Sequence, residues 1–298
     1  MPILTLQNIS KRYGAVQALA GVSFEVPAGS VFGILGPNGS GKTTLLGIVT
    51  DVLKADTGHF TLFDKTPTAR ERRQIGTLLE TPNFYHYLSG YKNLEISAAV
   101  KQRGKDDIAR VLDICGLTQR QHSAFKTYSL GMKQRLAIAG VLLGDPEVLI
   151  LDEPTNGLDP AGIAEVRDLV RRLAGTGKTI ILASHLLDEV EKVCTHVAIL
   201  RKGNLLLSGA VNEVISRNDY IEIAAANNHA LQSLLLQYPG CTSAELNGGL
   251  LKVMFAAQPD AAAINNYCAQ QGIWLSHLQL RKKSLETAFL EITNTPAQ

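Results

Sequence analysis

The 298 residues are 45% hydrophobic and 19% charged, with a formal net charge of +2. This composition excludes a disordered chain, and the length suggests two domains of about 100–200 residues each. The charge gives no argument for nucleic acid or an acidic membrane surface, and no apolar run approaches the roughly 18 residues of a membrane-spanning helix.

The longest apolar stretch runs only from Leu136 to Gly144. Met1 to Ser10 shows no basic segment leading into an apolar run, so no secretory signal is expected. Cys115, Cys194, Cys241 and Cys268 are widely spaced and form no Cys-x-x-Cys. They argue against a disulfide framework or a zinc site and fit a reducing cytosol.

In chain order, segments 3–9 and 20–26 read as short strands, the second closed by Pro27-Ala28-Gly29. Val31–Leu35 is a continuous apolar run, the pattern of a strand buried on both faces. It enters the glycine-rich stretch 36–41, and a helical pattern starts near Lys42. A polar, Gly- and Pro-punctuated stretch follows. Residues 91–116 and 131–144 read as helical, so 83–144 is expected to be a helical insertion without a clear strand. Val148–Leu151 and Thr179–Ala183 read as buried strands with a helix between them from about Pro160. This alternation predicts a largely parallel, covered sheet.

Charge density then falls. Only nine charged residues lie between Tyr220 and Gln298, against 47 in the preceding 219, which marks a boundary near residue 218. The tail reads as strand 220–225, helix 230–238, a hairpin of 241–246 and 250–255 around Asn247-Gly248-Gly249, helix 261–271, strand 273–280 and a last helix 284–293. The expected architecture is therefore α/β over 1–217, with a small α+β split-βαβ, ferredoxin-like domain over 218–298.

Gly36-Pro37-Asn38-Gly39-Ser40-Gly41-Lys42-Thr43, followed by Thr44, matches G-x-x-x-x-G-K-[ST]. The glycines let backbone N–H groups converge on phosphate oxygens, and the following helix aims its positive end at them. Lys42 supplies a mobile cation, and the Thr43 hydroxyl can ligate Mg²⁺. Asp152 and Glu153 end the apolar run 149–151. An aspartate there suits Mg²⁺, and the next carboxylate is placed to orient or deprotonate a water.

Further motifs resemble the ATP-binding subunits of ABC transporters over residues 1–217. Tyr13 stands where that family places a ring under adenine. Tyr128-Ser129-Leu130-Gly131-Met132-Lys133-Gln134 resembles the signature loop, with Leu130 in place of its first glycine. Ser129 and Gly131 keep the hydroxyl and the close backbone approach. Asn156-Gly157-Leu158-Asp159 resembles the loop after the strand carboxylates, and Ser184-His185 the switch histidine. Alone, Tyr13 and His185 would read as ordinary surface or core side chains.

The resemblance implies a P-loop NTPase core with an antiparallel β subdomain. It implies Mg²⁺-dependent ATP hydrolysis and a dimer, of two copies or with a paralogue. Ser129 and Gly131 of one subunit would complete the γ-phosphate site of the other. It also implies separate transmembrane permease subunits, a peripheral place on the cytoplasmic face of the membrane, and no nucleic acid. Glu80 stands where the family usually has glutamine, and is expected to ligate Mg²⁺ with Thr43. A glutamate there resembles the exporter branch of bacitracin and lantibiotic self-immunity pumps.

Phe84-Tyr85-His86-Tyr87 read either as anchors for a membrane subunit or as a local core. The tail carries no catalytic set, and Leu285, Phe289 and Ile292 share one face of its last helix. The alternative function is a soluble ABC-type ATPase acting on ribosomes or DNA. The single phosphate loop and the absence of long heptad runs argue against it.

Overall fold

A computed structural model describes residues 1–79, 83–216, 220–257, 260–281 and positions 285, 286 and 289. It divides into two compact units, Met1–Gly209 and Ala210–Gln298.

The first unit opens with β1 (Pro2–Tyr13), β2 (Val16–Pro27), β3 (Val31–Leu35), α1 (Lys42–Val49) and β4 (Thr57–Leu62). The short α2 (Ala69–Arg72), β5 (Ile75–Leu78), α3 (Gly90–Lys101), α4 (Ile108–Ile114) and α5 (Leu130–Leu142) follow. β6 (Val148–Asp152), α6 (Pro160–Ala174), β7 (Thr179–Ser184), α7 (Leu187–Val193), β8 (His196–Arg201) and β9 (Asn204–Ala210) complete it.

Among the described residues, β2-β1-β4 form an antiparallel sheet. Leu4 pairs with Val26 and Leu62, and Leu6 with Phe24. These side chains are buried and alternate with more exposed ones, the period-two pattern of a half-buried sheet. The second sheet has the order β5-β6-β7-β3-β8-β9. Its pairs β5–β6, β6–β7, β7–β3 and β3–β8 are parallel. Every residue of β3, β6 and β7 is buried, as continuous apolar runs covered on both faces require.

The sequence reading found these central strands and missed the peripheral ones. β4 (TGHFTL) is exposed over its first three residues, and β5 has four residues, so neither carries a strong period. The helical pattern 91–116 is two helices. Gln102 takes φ +55° at the end of α3, and Gly104 follows at φ +79°, which forces the break.

The ring cluster after position 82 divides. Phe84 and His86 pack on the buried Phe125, at centroid distances of 5.2 and 5.7 Å. Tyr85 and Tyr87 are exposed and meet edge to face. Asn93, 1% exposed, holds this loop from α3. Its Oδ1 accepts from Tyr85 N at 2.8 Å, and its Nδ2 donates to Tyr85 O and Ser89 O. The packing of Phe84 and His86 matches the local-core reading of this stretch.

In the second unit, α8 (Val211–Ser216) precedes β10 (Tyr220–Ala225), α9 (Asn228–Leu235), β11 (Cys241–Asn247), β12 (Leu250–Phe255), α10 (Ala261–Gln270) and β13 (Leu275–Arg281). The strands form an antiparallel sheet of order β11-β12-β10-β13. Its core joins Ile221, Ile223, Leu251 and Val253 of the sheet to Leu231, Leu235 and Ile264 of the helices. The expected last helix, 284–293, falls outside the described residues apart from Leu285, Glu286 and Phe289; Leu285 is buried.

Phe125 also touches Tyr128, and Lys133 Nζ lies 5.4 Å from its ring centre. Phe125→Ala is expected to cost about 3–5 kcal/mol in urea-induced unfolding. Protease sensitivity should appear first at residues 84–88 and 125–130.

Candidate functional site

The parallel sheet aligns three strand ends. In the β3–β7 pairing Leu35 is opposite Ser184, and in the β6–β7 pairing Asp152 is opposite Ala183. The glycine loop, the two carboxylates and His185 therefore leave the sheet at one edge. This is the carboxyl edge, and β3 sits out of chain order between β7 and β8. Such a switch point opens a crevice for ligands.

The loop is shaped by two glycines. Gly36 enters it at φ +156° and Gly41 ends it at φ +107°. A Cβ on Gly41 would lie 2.5 Å from the Ala18 carbonyl oxygen, so the position tolerates no side chain. Gly41 is also the N-cap of α1 and supplies no side-chain cap. The amides of the first turn are thus left to a ligand. Ser40 Oγ is buried and has no hydrogen-bond partner among the described residues. Pro37, Asn38 and Gly39 form the exposed rim.

Lys42, 6% exposed, folds back over the loop and donates to Gly36 O at 2.8 Å. Its Nζ lies 3.4 Å from Glu153 Oε1. Thr43 Oγ1 donates to Asp152 Oδ2 at 2.8 Å, across 109 residues of chain. Thr44 follows in the same turn. Glu153 is left-handed at φ +47°, a strained conformation held by its N–H to Ala183 O at 3.0 Å. Its Oε2 shares a 2.8 Å hydrogen bond with His185 Nδ1. One ammonium, two carboxylates, a hydroxyl and an imidazole thus converge on a phosphate-sized cradle.

These residues fit a magnesium nucleotide. The uncapped amides, the orphaned Ser40 hydroxyl and Lys42 suit phosphate oxygens. Thr43 and Asp152 offer adjacent hard oxygens for Mg²⁺. Glu80, the third expected ligand, lies outside the described residues.

Other expected site residues lie elsewhere. Tyr13 ends β1 and is 46% exposed, with Lys11 Nζ 5.7 Å from its ring centre. Ser129 caps α5, its Oγ accepting from Met132 N at 3.2 Å. A Cβ on Gly131 would meet Gly162 of α6 at 3.8 Å. The signature-like turn therefore sits beside the start of α6 and joins a second cluster. Asp159 caps α6, its Oδ1 accepting from Gly162 N at 2.9 Å.

The model of the family described as ABC transporter matches residues 19–156. YhcH of Bacillus subtilis, an uncharacterized ABC transporter ATP-binding protein, is 39% identical over 98% of this chain and 96% of its own length. The chain belongs to the ABC transporter ATP-binding family. The bacitracin transport ATP-binding protein BcrA of Enterococcus faecalis is 32% identical over 97% of this chain and 96% of its own. Among solved structures, the ADP conformation of MJ1267, an ATP-binding cassette of an ABC transporter, gives a TM-score of 0.67 at 26% identity. That match covers 72% of this chain and 94% of MJ1267. This ABC transporter subunit thus has the α/β fold of the family's ATPases and hydrolyses ATP to drive transport. Among the described residues, no helix is long and apolar enough to cross a membrane.

Two site features were not anticipated. Asn93 carries no motif signal, and its burial alone reveals it. The His185–Glu153 bond spans 32 residues and depends on strand register. Asp159→Ala is expected to lower stability by about 1 kcal/mol without nucleotide, because it removes the cap of α6. Chemical denaturation of the nucleotide-free protein checks this.

Proposed function

We propose that this subunit powers export through separate membrane subunits, by Mg²⁺-dependent hydrolysis at the edge formed by β3, β6 and β7. The observation that carries the reading is the convergence of Lys42, Thr43, Asp152, Glu153 and His185 around an uncapped helix start. The loop from Gly36 to Thr44 binds the phosphates. Thr43 and Glu80 would ligate Mg²⁺, and Asp152 would help hold it through water. Mg²⁺, when bound, neutralises phosphate charge and fixes its geometry. Glu153 orients or deprotonates the attacking water. As an imidazolium, His185 donates Nδ1–H to Glu153 and Nε2–H to the γ-phosphate as charge spreads over its oxygens.

Tyr13 stacks on adenine. Ser129 and Gly131, with Asp159 nearby, close over the nucleotide of a second subunit, either a copy or a paralogue. The start of α5, where the helix dipole favours negative charge, supports an anion site there. The exposed Tyr85 and Tyr87 are the anchors for the membrane subunit, which holds the chain at the cytoplasmic face. The relatives named for bacitracin transport support export as the direction. The tail unit is ferredoxin-like: its element order and the β11-β12-β10-β13 sheet support that description.

Glu153→Gln is expected to lower kcat at least about 100-fold while ATP binding persists and a dimer accumulates. Steady-state hydrolysis and size-exclusion chromatography with Mg·ATP test this; wild-type turnover removes Glu153 from the role. Lys42→Ala should weaken ATP binding at least about tenfold by calorimetry. Glu80→Gln should change the Mg²⁺ dependence of hydrolysis, and an unchanged profile removes Glu80 from the metal site.

A further inference from the structure

We propose that the Arg167–Glu189 ion pair between α6 and α7 is a positioning device for His185. The proposal rests on the catalytic reading of Glu153 and His185 above. β7 ends at Ser184 and α7 begins at Leu187, so His185 lies on a short link between strand and helix. The strand side of that link is fixed. Ser184 is buried, and its Oγ accepts from Leu186 N at 3.0 Å. The other side follows α7.

Two adjacent residues hold α7 in two directions. Val190 rests on β3 at Gly33, where a Cβ would fall 2.8 Å from Val190 Cγ1. Glu189 turns to α6, where Arg167 Nη1 donates to its Oε2 at 2.9 Å. Arg171 Nη2 donates to Lys192 O at 2.7 Å and adds a second tie. Arg167 and Glu189 are only 21% and 19% exposed, so solvent and salt screen this pair less than a surface pair.

The apolar contact beneath the pair leaves slack. Val166, Val170, Leu182, Val190 and Val193 line a cavity of about 30 Å³, and Pro154, next to Glu153, also borders it. Such a gap forfeits dispersion contact between the two helices. A hydrogen-bonded ion pair is directional and fixes their spacing. Arg167 and Glu189 thus set the distance that packing leaves open, and the link carrying His185 inherits it. They are positioning residues that act through the histidine.

The test uses the full chain with Glu189→Ala, Arg167→Met, Glu189→Gln and, as a control, Glu153→Gln. Glu189→Ala and Arg167→Met should lower kcat about tenfold and leave KM for Mg·ATP within about twofold. The imidazole ¹⁵N resonances of His185, assigned by their loss in His185→Asn, should move in the nucleotide-free variants. Glu189→Gln keeps an oxygen for Arg167 and should restore most of kcat. If Glu189→Ala does not fold, Arg167→Met carries the test. Wild-type kcat and unmoved His185 resonances overturn the proposal while an inactive Glu153→Gln leaves the catalytic reading standing. If Glu153→Gln keeps turnover, that reading fails, and the resonances alone decide: moved supports the positioning role, unmoved ends it.

Discussion

The in-register parallel pairing of β7 with β3 on one side and β6 on the other is the constraint from which the rest follows. It sets Leu35 opposite Ser184 and Asp152 opposite Ala183. Three segments far apart in the chain then end at the same height. A slip of one residue would turn Asp152 to the other face of the sheet and part it from Thr43. The three strands can hold this register because they are buried along their whole length. Apolar burial in the sheet is thus what aligns a strongly polar edge.

At that edge, local strain and charge balance support each other. Glu153 takes a left-handed conformation that a side chain disfavours, and its amide bond to Ala183 holds it there. The same turn directs its carboxylate between Lys42 and His185. Lys42 is nearly buried, yet its ammonium has carbonyl and carboxylate neighbours, so its desolvation is offset. Thr43 Oγ1 donates to Asp152 Oδ2 across the crevice. The site is therefore organised by its own hydrogen bonds, with the open amides of α1 as its anion-seeking face.

The legible parts of the sequence were those whose signal is local. The glycine loop is contiguous, and its backbone demands are written in Gly36 and Gly41. β3, β6 and β7 showed themselves as unbroken apolar runs. The strands found at 220–225 and 250–255 did so as short apolar runs, set off in the second case by the turn at Gly248-Gly249. What stayed hidden depends on distance or on weak periods. β5 is too short to show a pattern, and β4 is exposed over its first half. Gln102 ended a helix that the pattern had carried through to 116. Asn93 has no motif to announce it, because its role is to satisfy a loop's backbone. Contacts such as Glu153–His185 and Arg167–Glu189 exist only once the register and the helix packing are in place.

The central claim is that this sheet edge assembles a magnesium-nucleotide site completed by a second subunit. The most direct test is the structure of the Glu153→Gln variant with Mg·ATP. The account predicts phosphates on the amides from Gly36 to Thr44 and Mg²⁺ beside Thr43. It also predicts Ser129 and Gly131 of a second copy against the γ-phosphate. Nucleotide bound away from this loop, or a γ-phosphate with no second subunit over it, would contradict it.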